Sequence, residues 1–436
     1  MIRRPPRSTL DRSSAASDVY KRQVLQDKDN NASAAGPDSV SIGYAISLSG
    51  PFAPGAGATQ WPNYKLWVKD MNDAGGIYLS KYNKKVPVKL FAYDDQSKIE
   101  NAVRLTEKMM LQDKIDFILP PWGTGMHLAV APLYQKHGYP MCATTASTEK
   151  MITFAKRWPN AFWMGGAPSW LTGGVVKLVA DLVKSGKINN KVAMVSVAEQ
   201  FGAEMRAAGQ KQVKAAGLNL VYDKSYPLGV KDLAPQLQEI KRLGADTFLS
   251  MSYPPDAMLI TGQSIGLKFN AKIWVGGGGP AFGFFQKAYG PNAEGIIGVQ
   301  AWDPTPKAMA WFERHKKLVG YGPDRGASIS VYACMQLLEA AIKEAGEVDR
   351  KKAIEMWKTK TINTVMGPVK FDKNNIRARA SHYYAGQYQN GEYVPVSGGA
   401  NPRPVKFKPA FVPCLLYTSD AADERSSVDL GGRRII

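Results

Sequence analysis

The 436-residue chain has no run of about eighteen consecutive apolar residues, the length that a membrane-spanning helix requires. A water-soluble body is therefore expected. Cysteine is scarce. Of Cys142, Cys334 and Cys414, none sits in a CxxC or Cys/His ligand spacing, so buried free thiols are expected rather than a disulfide framework. The four histidines, His127, His137, His315 and His382, make no His-x-x-x-His pair of the kind that grips zinc. Neither a GxxxxGK[ST] loop nor a GxGxxG fingerprint is present, which removes the usual cradles for nucleotide phosphates. No cofactor and no metal are expected.

One pattern imitates catalysis. Gly262-Gln263-Ser264-Ile265-Gly266 fits G-x-S-x-G, but a nucleophile elbow needs a strand before the serine and a helix after it. Here the order is reversed: the motif closes a helical run and precedes the apolar Ile273-Trp274-Val275. With no acid, base or nucleophile constellation elsewhere, binding is expected rather than turnover.

With 44% hydrophobic and 21% charged residues, the chain has enough apolar material for two or three globular domains. Residues 1–23 and 414–436 stand apart, with little apolar periodicity and a resemblance to translated sequencing adaptor. They are left out of the fold, and a signal peptide upstream of Val24 is expected to be missing from this sequence. The opening segment contributes +4 and the closing one −1 to the net charge of +19, leaving +16 on the body. Its basic residues are dispersed and accompany no nucleic-acid module, so a solvated basic surface is expected and nucleic acid is not.

The body alternates strand and helix. Val40–Ser49 reads as a strand, and Trp61, Tyr64, Trp67 and Met71 fall on one helical face. Strands at 86–93, 116–119 and 139–143 follow, separated by helices. A second run places strands at 191–197, 218–226, 246–252 and 272–275 between helices. Strands spaced by 10–15-residue helices predict parallel sheets covered on both faces, and two such runs predict two doubly wound α/β lobes. Two further helices, 307–319 and 326–345, and a hairpin-like end from Gly367 to Val396 suggest a return to the first lobe.

Ligands of open parallel sheets bind beyond the carboxyl ends of the strands. Ser49-Gly50-Pro51-Phe52, Pro121-Trp122-Gly123-Thr124-Gly125, Thr144–Thr148 and Tyr253-Pro254-Pro255 all occupy such positions. Hydroxyls and helix-start N–H groups suit an anion, and aromatic walls suit an apolar body. Gly276–Gly279, four glycines after a strand, is either a close backbone approach to a ligand or a flexible turn.

Ile42–Phe52, Met71–Ile77 (MNDAGGI), Tyr93–Gln96, Ala129–Met141, Tyr332–Ile342 and Gly367–Asp372 follow one another as in a known family. The body from Val40 to Val396 resembles the branched-chain amino-acid type of ABC-transporter substrate-binding proteins, of the type I periplasmic binding fold. The resemblance implies two lobes, 38–166 with 298–380 and 167–297 with 381–413, joined by three crossover strands and closing on a small-molecule solute. It implies a monomer in the periplasm that delivers its solute to the membrane permease of an ABC importer. A ligand-sensing domain of the same fold, reporting to a receptor or regulator, is the alternative. Carried over by position, the first lobe supplies Ser49, Gly50, Trp122, Thr124, Gly125, Thr144, Thr145 and Ser147, and the second supplies Phe201, Tyr253 and Gly278. Two departures stand out. Phe201 replaces a common tyrosine, and Gly278 stands about where the amino-acid binders place an ammonium-binding glutamate. An aromatic or otherwise apolar carboxylate is therefore expected ahead of leucine or valine, unless Asp256 reaches the ammonium.

Overall fold

A computed structural model describes residues 36–377 and 384–412. The end segments 1–23 and 414–436, together with Cys414 and His382, lie outside the described residues.

The first run comprises β1 (Val40–Ile46), α1 (Ala53–Thr59), α2 (Trp61–Asp73), β2 (Ile77–Leu79), β3 (Lys84–Val86) and β4 (Val88–Asp94). It continues with α3 (Ile99–Leu111), β5 (Phe117–Leu119), α4 (Thr124–Lys136), β6 (Met141–Ala143), α5 (Met151–Arg157) and β7 (Ala161–Trp163). The second run opens with α6 (Pro168–Lys184), β8 (Lys191–Val197), α7 (Gln200–Ala215), β9 (Asn219–Tyr226) and α8 (Ala234–Leu243). Next come β10 (Thr247–Met251), α9 (Pro254–Leu267), β11 (Ile273–Val275), α10 (Gly283–Tyr289) and β12 (Ile296–Gly298). The chain then forms α11 (Pro306–Val319), α12 (Ser328–Ala345) and α13 (Arg350–Thr359). Two hairpins end it, β13 (Ile362–Thr364) with β14 (Gly367–Val369), and β15 (Gly386–Gln389) with β16 (Glu392–Pro395).

The first run builds a parallel ladder in the order β4-β1-β5, with β6 and β7 as an adjoining parallel pair. The second builds a seven-stranded sheet, β16-β15-β12-β11-β10-β8-β9. Strands buried on both faces read as continuous apolar runs, and β8 (KVAMVSV) is buried from Val192 to Val197. The second sheet is not wholly parallel as expected. β15 and β16 add an antiparallel edge, because Asn390 and Gly391 both take positive φ in a two-residue turn. The expected single hairpin from Gly367 is thus two hairpins, the first paired with neither main sheet. Helices α11 and α12 pack back on α2. Trp163 donates its N–H to the Asn375 carbonyl, and Arg377 donates its own to the Trp163 carbonyl. The returning chain therefore runs along β7 before entering the second sheet at β15.

The cysteine expectation is corrected. Cys142 on β6 and Cys334 in α12 form a disulfide, with Cα atoms 6.2 Å apart and a sequence separation of 192 residues. Local spacing cannot reveal a pairing that arises only when α12 returns to the first sheet.

The C-terminal segment covers the second sheet's flank. Gln387 and Gln389 donate to the Lys406 and Pro404 carbonyls, and Phe411 meets Trp274 edge-on at 5.3 Å. Lys408 is buried here with no carboxylate partner among the described residues, and its ammonium donates to the Pro409 carbonyl. Burial lowers its pKa from 10.5 to about 7. The unfolded chain therefore binds a proton that the folded chain sheds between pH 7 and 10.5. The burial cost is fully present below pH 7 and vanishes as pH rises. Lys408→Met is expected to stabilise the protein below pH 7 by up to about 5 kcal/mol at 1.36 kcal/mol per unit. Denaturation from pH 6 to pH 10 should show that gain shrinking; a constant difference would refute the assignment.

Candidate functional site

A cavity of about 80 Å³ lies between the two sets of elements, at the carboxyl ends of their strands. Loops after β5 and β6 bring Trp122, Gly123 and Thr144–Ser147 from one side. Loops after β10 and β11 bring Ser252, Tyr253, Pro254 and Gly278 from the other, with Phe201 from α7. The crossing segments contribute Gly165, Gly166, Val299 and Gln300.

Seven of the eleven candidates therefore meet: Trp122, Thr144, Thr145, Ser147, Phe201, Tyr253 and Gly278. Four do not line the cavity. Ser49 is exposed and donates to Asp94 at 2.7 Å. Gly50, at φ +81, is a turn residue against Ser97. Gly125 faces Glu199, whose carboxylate a β-carbon there would meet at 2.7 Å. Thr124 is buried, and its hydroxyl serves the neighbouring loop. It accepts the Ser147 N–H at 3.0 Å and donates to the Ser147 carbonyl at 3.4 Å. The Thr124 hydroxyl here positions the Ser147 loop. Thr124→Val should strand the buried Ser147 N–H and cost about 1–3 kcal/mol of ligand-free stability. Urea unfolding tests this, and unchanged stability would refute it.

The aromatic wall joins both sides. Trp122 lies 5.1 Å from Tyr253, Phe52 lies 5.4 Å from Tyr253, and Phe201 stacks on Tyr253 at 5.1 Å. The Tyr253 hydroxyl donates to Glu199 at 2.5 Å, and burial beside that carboxylate pushes its pKa far up. Glu204 of α7 accepts from the Thr148 hydroxyl at 2.8 Å and the Glu149 N–H at 2.9 Å. The Trp122–Tyr253 and Phe52–Tyr253 contacts and those of Glu204 join the two sides.

Several helices begin here, and a helix start is electropositive. Most carry their own carboxylate. Glu199 caps α7, Asp256 accepts the Tyr253 N–H at the start of α9, and Glu149 accepts the Ser169 N–H in α6. Asp324 accepts from Gly326 and Ser328 at the start of α12. By contrast, α4 has no side-chain cap and no acidic residue in its first turn, and its N-cap, Gly123, lines the cavity. Beside it the Thr144 hydroxyl is buried without a partner among the described residues. The Glu199 carboxylate nonetheless stands against Gly125 in that first turn, so the Thr144–Ser147 loop is where neutral donors can receive an anion.

Asp256 does not line the cavity; Tyr226 and Tyr253 hold it, and burial raises its pKa to about 6. Sequence reasoning missed Ser252, Gly165, Gly166, Phe282, Gln300 and Asp324. The strand-end rule reaches Ser252 after β10 and Gly165 after β7. Gly165 is obligatory for another reason: a β-carbon there would meet the Ala146 carbonyl at 2.1 Å. Gln300 and Asp324 lie in connecting segments that carry no such signal. Ser264 lies buried inside α9, not on a strand-to-helix turn, so the hydrolase pattern has no elbow.

A family model described as periplasmic binding protein matches residues 39–392. The chain belongs to that family. Among periplasmic binding proteins of known type, it is 25% identical to the Leu/Ile/Val/Thr-binding protein of Salmonella typhimurium over 342 residues, covering 77% of this chain and 88% of the relative. It is also 25% identical to the Leu/Ile/Val-binding protein homolog 7 of Brucella suis over 381 residues, covering 82% and 91%. The fold matches a branched-chain amino-acid transporter substrate-binding protein from Streptococcus pneumoniae solved with isoleucine. That match has a TM-score of 0.68 at 21% identity, over 81% of this chain and 97% of the other. It also matches an ABC-transporter solute-binding protein from R. palustris solved with benzoate. There the TM-score is 0.70 at 21% identity, over 87% of this chain and all of the other. As a periplasmic binding protein the chain is a binder and not an enzyme. No helix among its described residues is long and apolar enough to cross a membrane.

Proposed function

We propose that this periplasmic binding protein captures a small aromatic carboxylate in its interlobe cavity and delivers it, as a monomer, to the permease of an ABC importer. The two lobes expected from the sequence close as units on that solute. The observation that carries the solute class is the pairing of an aromatic wall with a bare turn. Trp122, Phe201 and Tyr253 form a wall suited to a flat ring, while Gly278 offers no charge to an α-ammonium group. Asp324 reaches the cavity, but Gly326 and Ser328 already donate to both its oxygens. An unpaired buried ammonium is costly, so a deaminated acid suits the cavity better than leucine. Structural relatives solved with benzoate and 4-hydroxybenzoate support this class. The disulfide suits an oxidising compartment such as the periplasm.

A thermal-shift panel tests the reading. Benzoate or 4-hydroxybenzoate at a hundredfold excess over Kd should stabilise the protein by about 2.7 kcal/mol, with little from leucine, isoleucine or valine. Stabilisation by the branched-chain amino acids and not by the benzoates would overturn it.

A further inference from the structure

We propose that a second groove, on the far side of the wall that carries Gln300 and Asp324, binds a small oxyanion, with Arg325 as its anchor. The groove encloses about 780 Å³ between α10, α11 and the β15–β16 hairpin. Neighbouring residues of its wall face opposite ways. Asp324 lines the interlobe cavity and Arg325 the groove, as do Phe282 and Ala281 respectively.

Arg325 is the unusual member. Its guanidinium lies 4.7 Å from the Trp302 ring and 4.6 Å from the Phe312 ring, and its polar contact among the described residues is a long one to the Met309 sulfur. No carboxylate forms an ion pair with it among the described residues, and burial pulls its pKa below the usual arginine value against a smaller opposing effect of Tyr388, Glu392 and Glu313. A partly buried guanidinium normally finds a carboxylate, because a desolvated cation without one is costly. Arg403 on the same groove does so, pairing with Glu392 at 3.0 Å. Two aromatic rings pack near the Arg325 guanidinium where it lines the groove, and a guanidinium can receive a carboxylate or phosphate through paired N–H bonds. Lys316, exposed on the rim and in no ion pair among the described residues, adds a second positive charge. Two cations outside any ion pair among the described residues, set around aromatic walls beside an Arg403–Glu392 pair that neutralises itself, define a site for a small oxyanion, carboxylate or phosphate. It is separate from the solute cavity and does not depend on the identity of the solute.

Calorimetric titration of the full chain with inorganic phosphate, and separately with acetate, tests this. At least one of the two should bind saturably with one equivalent, and which one does assigns the ligand class. Arg325→Gln should weaken that binding about tenfold or more and Lys316→Gln several-fold, while Gly278→Glu, in the solute cavity, should leave it unchanged. Absence of saturable heat with both anions, or the same isotherm in Arg325→Gln, would overturn the site. Circular dichroism checks that Arg325→Gln folds. Should it not, the surface variant Lys316→Gln decides: unchanged affinity there also overturns the proposal.

Discussion

Replacing Cys142 and Cys334 together by alanine is expected to lower the unfolding free energy by about 2–5 kcal/mol. The bond closes a loop of 192 residues of sequence separation, for which chain entropy alone gives a value near the top of that range. Both partners are buried, Cys142 on β6 and Cys334 within α12, so the cross-link also fixes where α12 lies on the first sheet. Guanidinium denaturation with and without reductant measures the effect. Wild type in reductant should fall toward the double variant, which reductant should leave unaffected. Identical wild-type curves in both conditions would show that the thiols are not joined.

The second large effect concerns the bare turn after β11. Gly278 has φ −77 and ψ −24, an ordinary helical conformation, and a β-carbon there meets nothing within 4 Å. A side chain can therefore be added without backbone strain. Gly278→Glu would direct a carboxylate into a cavity proposed to hold an anion. Two like charges about 4 Å apart repel by about 4 kcal/mol at an effective dielectric constant of about 20. Benzoate affinity is expected to fall by about a hundredfold or more, with unfolding stability of the free protein nearly unchanged. Calorimetry on both proteins decides it. Retained benzoate affinity would mean that the carboxylate group binds far from this turn.

The sequence exposed the architecture because periodicity is a local property. Lys191–Val197 was readable as a buried parallel strand to the residue, since every position after Lys191 is apolar or small. The strand-end rule reached Trp122, Thr144 and Tyr253 because parallel topology places those loops together. It could not show that Asp94 takes the Ser49 hydroxyl or that the Thr124 hydroxyl engages Ser147. Whether a hydroxyl is free depends on residues distant in sequence, Asp94 and Ser147 here. The same limit hid the disulfide, and it hid Asp324, which reaches the cavity only because the segment before α12 returns to the wall. The antiparallel edge was closer to hand: Gln389-Asn390-Gly391-Glu392 is a strong hairpin signal.

The position of the Cys142–Cys334 bond has a consequence for how the molecule survives damage. Its two anchors flank everything from α6 to β12, so that whole excursion is tied at its base. A protease that cuts one loop between residues 143 and 333 would leave two fragments still covalently linked. Such a nicked molecule would migrate as one species without reductant and as two with it. Its second sheet, still held against the first, could re-form without having to find its other half by diffusion.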